Sequence, residues 1–272
     1  MRWRQFLTPV ESIDSHQARS MLASDPAVQL LDVRQAKEYE EGHISGAKFI
    51  PLGSLGDMLD DLDPARPVVV YCAIGGRSRI AAQMLAGKGF DKVFNMSGGF
   101  KAWNGWKGYG EYEQGLHLFM NTQDLREVLE VAYVMEKALG DFYRTMSSSV
   151  RDPKASDLFR KLADVEDRHS GAVADRLRAA TGNAPLPDVG PDAAPEGGLT
   201  TEEYMRRLGT DTESPRDIVD FAMALEAQAM DLYARAAENA PDDASRKELE
   251  RMAQEERGHL KHLGVLMDAL MA

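Results

Sequence analysis

Two groups of residues in this chain have types and spacings that could do chemistry. The first is a repeat. Glu136, Tyr143, Glu166 and His169 recur as Glu226, Tyr233, Glu256 and His259, each pair 90 residues apart. Asp141/Asp231 and Ala163/Ala253 keep the same offset. Each half reads Glu, six residues and Tyr, then Glu-x-x-His further on. Residues i and i+3 of a helix share a face, about 4.5 Å apart along the axis. Glu166 with His169, and Glu256 with His259, could therefore each bind one cation, with Glu136 and Glu226 arriving from two other helices. Four carboxylates and two imidazoles form a ligand set for two cations, with bridging carboxylates offsetting the repulsion between them. Imidazole nitrogen suits iron, and hard oxygens favour iron or manganese over copper. Without a metal, four glutamates gathered in a core would repel one another and take up protons. His262, Glu130 and Glu255 fall outside the repeat.

The second group surrounds the only cysteine, Cys72. The loop Cys72-Ala73-Ile74-Gly75-Gly76-Arg77-Ser78 follows an apolar run and precedes a helical one. A lone cysteine is often a small buried hydrophobe. A thiol at a strand end, facing a helix N-terminus and turned by two glycines, meets backbone N–H groups instead. Those donors, with Arg77, are expected to favour the reactive thiolate and to hold an anionic sulfur or oxyanion on it.

The surrounding pattern supplies elements to position both groups. Val28–Asp32, Ala47–Ile50, Pro67–Tyr71 and Lys92–Asn95 read as buried strands. Helical stretches lie near Ser15–Ser24, Ala36–Glu41 and Arg77–Lys88, so residues 1–108 predict an α/β domain with a mostly parallel sheet. Residues 109–121 read as a Gly-rich linker. Beyond it the strand signals stop, and helices are predicted over 122–148, 153–181, 214–239 and 242–271. Asp152-Pro153 and Ser214-Pro215 each place a capping side chain before a proline at the first helical position. The stretch 182–213 holds four prolines and is read as a crossover, with a short helix expected at Thr201–Leu208. Two short turns flanking one long crossover predict a ferritin-like four-helix bundle over 122–272 rather than an up-down one.

Composition narrows the partners. The chain has 272 residues, 43% of them hydrophobic, and a formal charge of −12. Two domains with real cores suit that length. An acidic balance argues against nucleic-acid and anionic-membrane partners. One cysteine excludes an internal disulfide and any Cys-rich metal site built by this chain. MRWRQFL is followed by no apolar stretch, and a cytoplasmic location is expected. Val128, Val131, Val134, Leu158 and Phe159 could form a face pairing two copies into a homodimer, or could equally be core.

With these residues in view, the chain resembles two families. Leu31-Asp32-Val33-Arg34, Glu38, Gly42-His43-Ile44-Ser45-Gly46-Ala47, Ile50-Pro51, the Cys72 loop and Ser97-Gly98-Gly99-Phe100 through Trp103 resemble the single-domain rhodaneses. The resemblance implies that Cys72 carries a persulfide, that Asp32 and Arg34 support the loop without acting chemically, and that His43 is structural. Four residues between Cys72 and Arg77 give the loop size of the family's sulfurtransferases, one residue shorter than in the related phosphatases. With a single basic residue in the loop, thiosulfate is expected to be a weak donor and another persulfide a better one. The helical half resembles the ferritin-like superfamily, closest to the rubrerythrin and bacterioferritin branch. That implies two irons per chain on Glu136, Glu166, His169, Glu226, Glu256 and His259, with Tyr143 and Tyr233 bonding toward ligand carboxylates. Rubrerythrins usually add a four-cysteine iron domain as electron source; one cysteine cannot build it, so the electron donor and the sulfur acceptor stay open. The expected function is sulfur transfer joined to di-iron reduction of peroxide or reaction with dioxygen, peroxide reduction being favoured because it needs no organic substrate pocket. The alternative is a bundle that stores or delivers iron beside a module handing sulfur to a partner.

Overall fold

A computed structural model describes residues 9–182, 184–190, 205–206 and 209–271. The chain divides into two compact units that meet in sequence at Tyr112 and Glu113.

The first unit runs β1 (Glu11–Ile13), α1 (Ser15–Ser24), β2 (Gln29–Asp32), α2 (Ala36–Glu40), β3 (His43–Ile44), β4 (Lys48–Phe49), β5 (Val68–Tyr71), α3 (Gly76–Ala86), β6 (Val93–Met96), α4 (Gly99–Ala102) and β7 (Lys107–Gly108). Five strands form a parallel sheet in the order β1-β6-β5-β2-β4. The central β5, Val-Val-Val-Tyr, is buried along its whole length, as expected of a strand covered on both faces. Val68 and Val70 face one apolar layer with Leu31, Leu85 and Cys72, whereas Val69 and Tyr71 face the other with Leu30 and Ile44. That alternation is the two-residue period of a strand. β3 and β7 pair antiparallel outside this sheet, with His43 opposite Gly108. His43 is buried, stacked 3.7 Å from the Tyr39 ring, and its Nδ1 lies 3.0 Å from the Tyr39 carbonyl.

The second unit holds α5 (Leu125–Ser149), α6 (Pro153–Thr181), α7 (Pro215–Glu238) and α8 (Asp243–Met271). The caps act where the sequence puts them: Asp152 accepts from the Lys154 and Ala155 N–H groups, Ser214 from Asp217, and Asp124 from Glu127. Packing is tightest within the two consecutive pairs, α5 with α6 and α7 with α8. The stretch read as a linker, 109–121, divides between the units. Within 113–121 a short 3-10 turn buries Leu116 and Phe119, and Phe119 packs edge-on to Tyr233. Arg235, in a buried ion pair with Asp231, donates to the Gln114 carbonyl at 2.9 Å and ties this stretch to α7. The short helix expected at Thr201–Leu208 lies outside the described residues except at Met205 and Arg206, which are helical.

The residues left open between a pairing face and the core divide: Val128, Leu158 and Phe159 are core residues, and Val131 and Val134 are half-buried. Among the described residues no helix is long and apolar enough to cross a membrane.

Candidate functional site

Cys72 follows the last residue of β5, the middle strand of the sheet, and the chain then turns into α3. Such a carboxyl-end position is where open parallel sheets place reactive groups. Gly75 stands before α3 at φ +101°, a conformation that suits glycine, and leaves the first helical N–H groups uncapped by a side chain. Its own N–H points at the Cys72 sulfur, 3.1 Å away, and the Ser78 hydroxyl lies 3.5 Å from it. Burial pushes the Cys72 thiol up, but the Ser78 hydroxyl and the N–H groups of Ser78, Ile74 and Gly75 outweigh it, so the pKa falls below the ordinary thiol value. Ser78 also donates to Asn95 Oδ1 at 2.7 Å, and Asn95 in turn donates to Ser12. A single hydroxyl proton cannot serve both acceptors, so Ser78 turns toward sulfur when the sulfur is charged.

Arg77 faces Cys72, but both of its terminal nitrogens are bonded to the Glu38 carboxylate at 2.6 Å. Arg77 therefore shares the support of the thiolate: it bonds toward Cys72, Ser78 and the loop amides hold the sulfur beside it, and Glu38 offsets the guanidinium charge. Glu38 belongs to the resembling stretches but was not expected in the site; only contact across 39 residues of sequence reveals it. Ala73 and Ile74 form the loop's outer arc, with Ile74 exposed. The carbonyls of Cys72 and Ala73 accept from the N–H groups of Phe100 and Lys101 at 2.7 and 3.0 Å. That approach requires Gly99, φ +55°, whose added Cβ would lie 2.2 Å from the Cys72 carbonyl oxygen. Asp32 and Arg34 form a buried ion pair at 2.7 Å; Arg34 also donates to the Gly42 carbonyl and lies 4.2 Å over the Phe100 ring. They reach the loop through Phe100 and not directly.

In the second unit the six residues of the repeat meet in two equal sets. Glu136, Glu166 and His169 offer ligand atoms within 4.8 Å of one another, and so do Glu226, Glu256 and His259. His169 Nδ1 lies 3.2 Å from Glu166 and 3.8 Å from Glu136. His259 Nδ1 lies 2.7 Å from Glu256 and 3.2 Å from Glu226. The two imidazoles stack face to face, centroids 3.7 Å apart and planes 4° from parallel. All four glutamates are 2–3% exposed. Gly140, one turn after Glu136, lets α6 approach: a Cβ there would come within 3.1 Å of the Glu166 Cβ. Tyr143 and Tyr233 are fully buried two turns beyond Glu136 and Glu226, each among aromatic neighbours.

The donor set fits a pair of divalent cations. Glu166 Oε1 is buried with no amide, hydroxyl or guanidinium donor against it among the described residues. Burial, then the charge of Glu226, holds the Glu166 carboxyl well above the usual carboxylate range. Burial, then the charge of His259, lowers the His169 imidazole, keeping it in the neutral form that ligates metals. A buried cluster of this kind is costly unless its groups are protonated or bound to cations. A cavity of about 810 Å³ between α6, α7 and α8 ends on Glu166, His169, Glu226 and His259.

Comparison with known proteins divides the chain in the same way. A family model for the rhodanese-like domain matches residues 14–105. One for rubrerythrin matches 109–179 and 127–267. The uncharacterized protein YqhL of Bacillus subtilis is 44% identical over 28% of this chain and 61% of its own length. The putative sulfur carrier protein YrkF of Bacillus subtilis is 38% identical over 30% of this chain and 44% of its own. The thiosulfate sulfurtransferase GlpE of Shewanella oneidensis is 40% identical over 29% of this chain and 77% of its own. The chain thus spans less than two thirds of the first two relatives.

Proposed function

Since the chain belongs to the rubrerythrin family and carries a rhodanese-like sulfurtransferase domain ahead of it, we propose that Cys72 carries sulfane sulfur as a persulfide and that the bundle reduces peroxide with two irons. The observation that carries the reading is the pair of equal, buried carboxylate–imidazole sets with face-to-face histidines.

At the cysteine loop, the Cys72 thiolate attacks the outer sulfur of a donor R–S–SH. A Cys72 S–S bond forms, the donor S–S bond breaks, and R–S⁻ leaves, with no net oxidation. The N–H groups of Ile74 and Gly75 and the Ser78 hydroxyl hold the charge on sulfur at both ends of the transfer. Because Glu38 neutralises Arg77, the loop favours a weakly charged donor over a dianion.

In the bundle, Glu136, Glu166 and His169 hold one metal position, and Glu226, Glu256 and His259 the other. A ferrous pair held there would supply the two electrons that reduction of one peroxide needs. Manganese fits the same oxygens. Tyr143 and Tyr233 orient ligand carboxylates, and the Leu-rich helix faces limit water around them. Electrons and the sulfur acceptor come from partners outside the chain.

The first test is metal content after anaerobic purification. About two irons per chain, lost in Glu166→Ala, is the expected result; a folded, metal-free wild type would overturn the reading. Diferrous protein mixed with peroxide and an excess of an artificial electron donor should then turn over many equivalents. A single turnover followed by release of iron to an acceptor would favour iron delivery instead. Cys72→Ala should leave iron content intact, and any loss of peroxide turnover in it would show the two sites to be coupled.

A further inference from the structure

The cavity that ends on the metal ligands is larger than peroxide requires. Its volume of about 810 Å³ lies in the range of sites for organic ligands of some size. It runs along α6 from Pro153 to His169, a rise of about 24 Å, and along α8 from His259 to Leu270. Its walls are leucine stripes at helical spacing: Leu158 and Leu162 on α6, Leu263 and Leu266 on α8. One rim is cationic. Lys154, Lys161 and Arg168 stand seven residues apart on α6, and His262 faces them from α8. Lys161 is paired with Asp157 at 2.8 Å. Lys154 and Arg168 are held by no carboxylate in an ion pair among the described residues, in a chain of net charge −12 where most arginines of the bundle are paired.

We infer that this cavity binds an elongated apolar molecule with an anionic end group, of the fatty-acid class. Apolar walls give the tail a place out of water. Lys154 at one end of the cleft and Arg168 at the other provide for the charge. A small polar molecule such as peroxide or phosphate would leave the leucine walls unused, and a macromolecule would not fit between the helices down to His169 and His259. The inference deepens the di-iron reading and rests on it only for placing the ligand beside the metals; binding itself needs the cavity alone.

The test uses the full chain stripped of metal and titrated with decanoate by calorimetry, with decanol as the neutral comparison. The expected result is saturable binding of one decanoate per chain. Lys154→Glu with Arg168→Glu should weaken decanoate at least tenfold and leave decanol unchanged. Leu266→Trp, which fills the cleft from a partly exposed position, should weaken both at least tenfold. All three substitutions lie at exposed sites, and unchanged circular dichroism checks the fold. Absence of saturable binding, or equal affinity in the variants, would overturn the inference. So would binding to anionic phospholipid vesicles without binding to monomeric decanoate. Iron content measured on each preparation before its metal is stripped separates the two readings. Two irons with no decanoate binding removes the inference and keeps the metal centre. Decanoate binding with no iron uptake does the reverse.

Discussion

At the scale of single residues, the largest supports of the Cys72 thiolate are neutral neighbours. Burial raises its pKa, and one hydroxyl with three amides lowers it further than burial raises it. A lowered pKa means more thiolate at neutral pH, so alkylation by iodoacetamide should show its inflection below the ordinary value of about 8.5. Ser78→Ala should move that inflection upward and slow alkylation at pH 7. Glu38 acts oppositely on the substrate. Its bond to Arg77 is about one third exposed, and such pairs contribute about 0.2–1 kcal/mol. Glu38→Gln should therefore lower the KM for thiosulfate about two- to fivefold, read in a thiosulfate-to-cyanide transfer assay. Glu38 itself titrates below the usual glutamate range, first because Arg77 bonds to it. The stability it adds is present above the ordinary glutamate pKa and lost as pH falls through the lowered value.

At the scale of elements, two glycines decide how close backbones come. Gly99 lets α4 dock on the carbonyls of the cysteine loop. Gly99→Ala would force a Cβ against the Cys72 carbonyl. Sulfur transfer should fall about tenfold or more, since misplacement on the ångström scale can cost a hundredfold, while iron content stays at the wild-type level. The longer helices of both units were legible in the sequence to within a few residues, because caps, prolines and apolar stripes are local signals. Ser15–Ser24 and Pro153–Thr181 occur as expected. The missed elements β1, β3, β7 and α4 are two to four residues long, too short to show a period. The two Glu-Glu-His groups were legible because a 90-residue repeat marks them twice. Glu38 and the leucine-lined cleft were not, since one is a contact between α2 and α3 and the other a gap between α6 and α8.

At the scale of the whole molecule, the two units have separate hydrophobic cores, and the proposed function gives each its own chemistry. Chelation of iron should therefore lower the thermal midpoint of the bundle while sulfur transfer at Cys72 is unchanged below that midpoint. A ligand at a hundred times its dissociation constant stabilises the folded form by about 2.7 kcal/mol. A metal-dependent shift in scanning calorimetry with no change in the transfer assay is the expected pair of results.

The duplicated hairpins share their ligands but not their surroundings. Asp141 lies at the surface beside Arg144, whereas its counterpart Asp231 is buried against Arg235, which holds the entering chain through Gln114. Gly140 touches a ligand helix where the counterpart is Met230. Chemically alike, the copies have drifted into different trades: the first keeps a close fit around its glutamate, and the second anchors the start of its own domain. Two irons held this way would be spectroscopically distinguishable, and Mössbauer spectra of the diferrous protein should resolve two quadrupole doublets of equal area. An ancestor assembled from two identical hairpins could have shown only one.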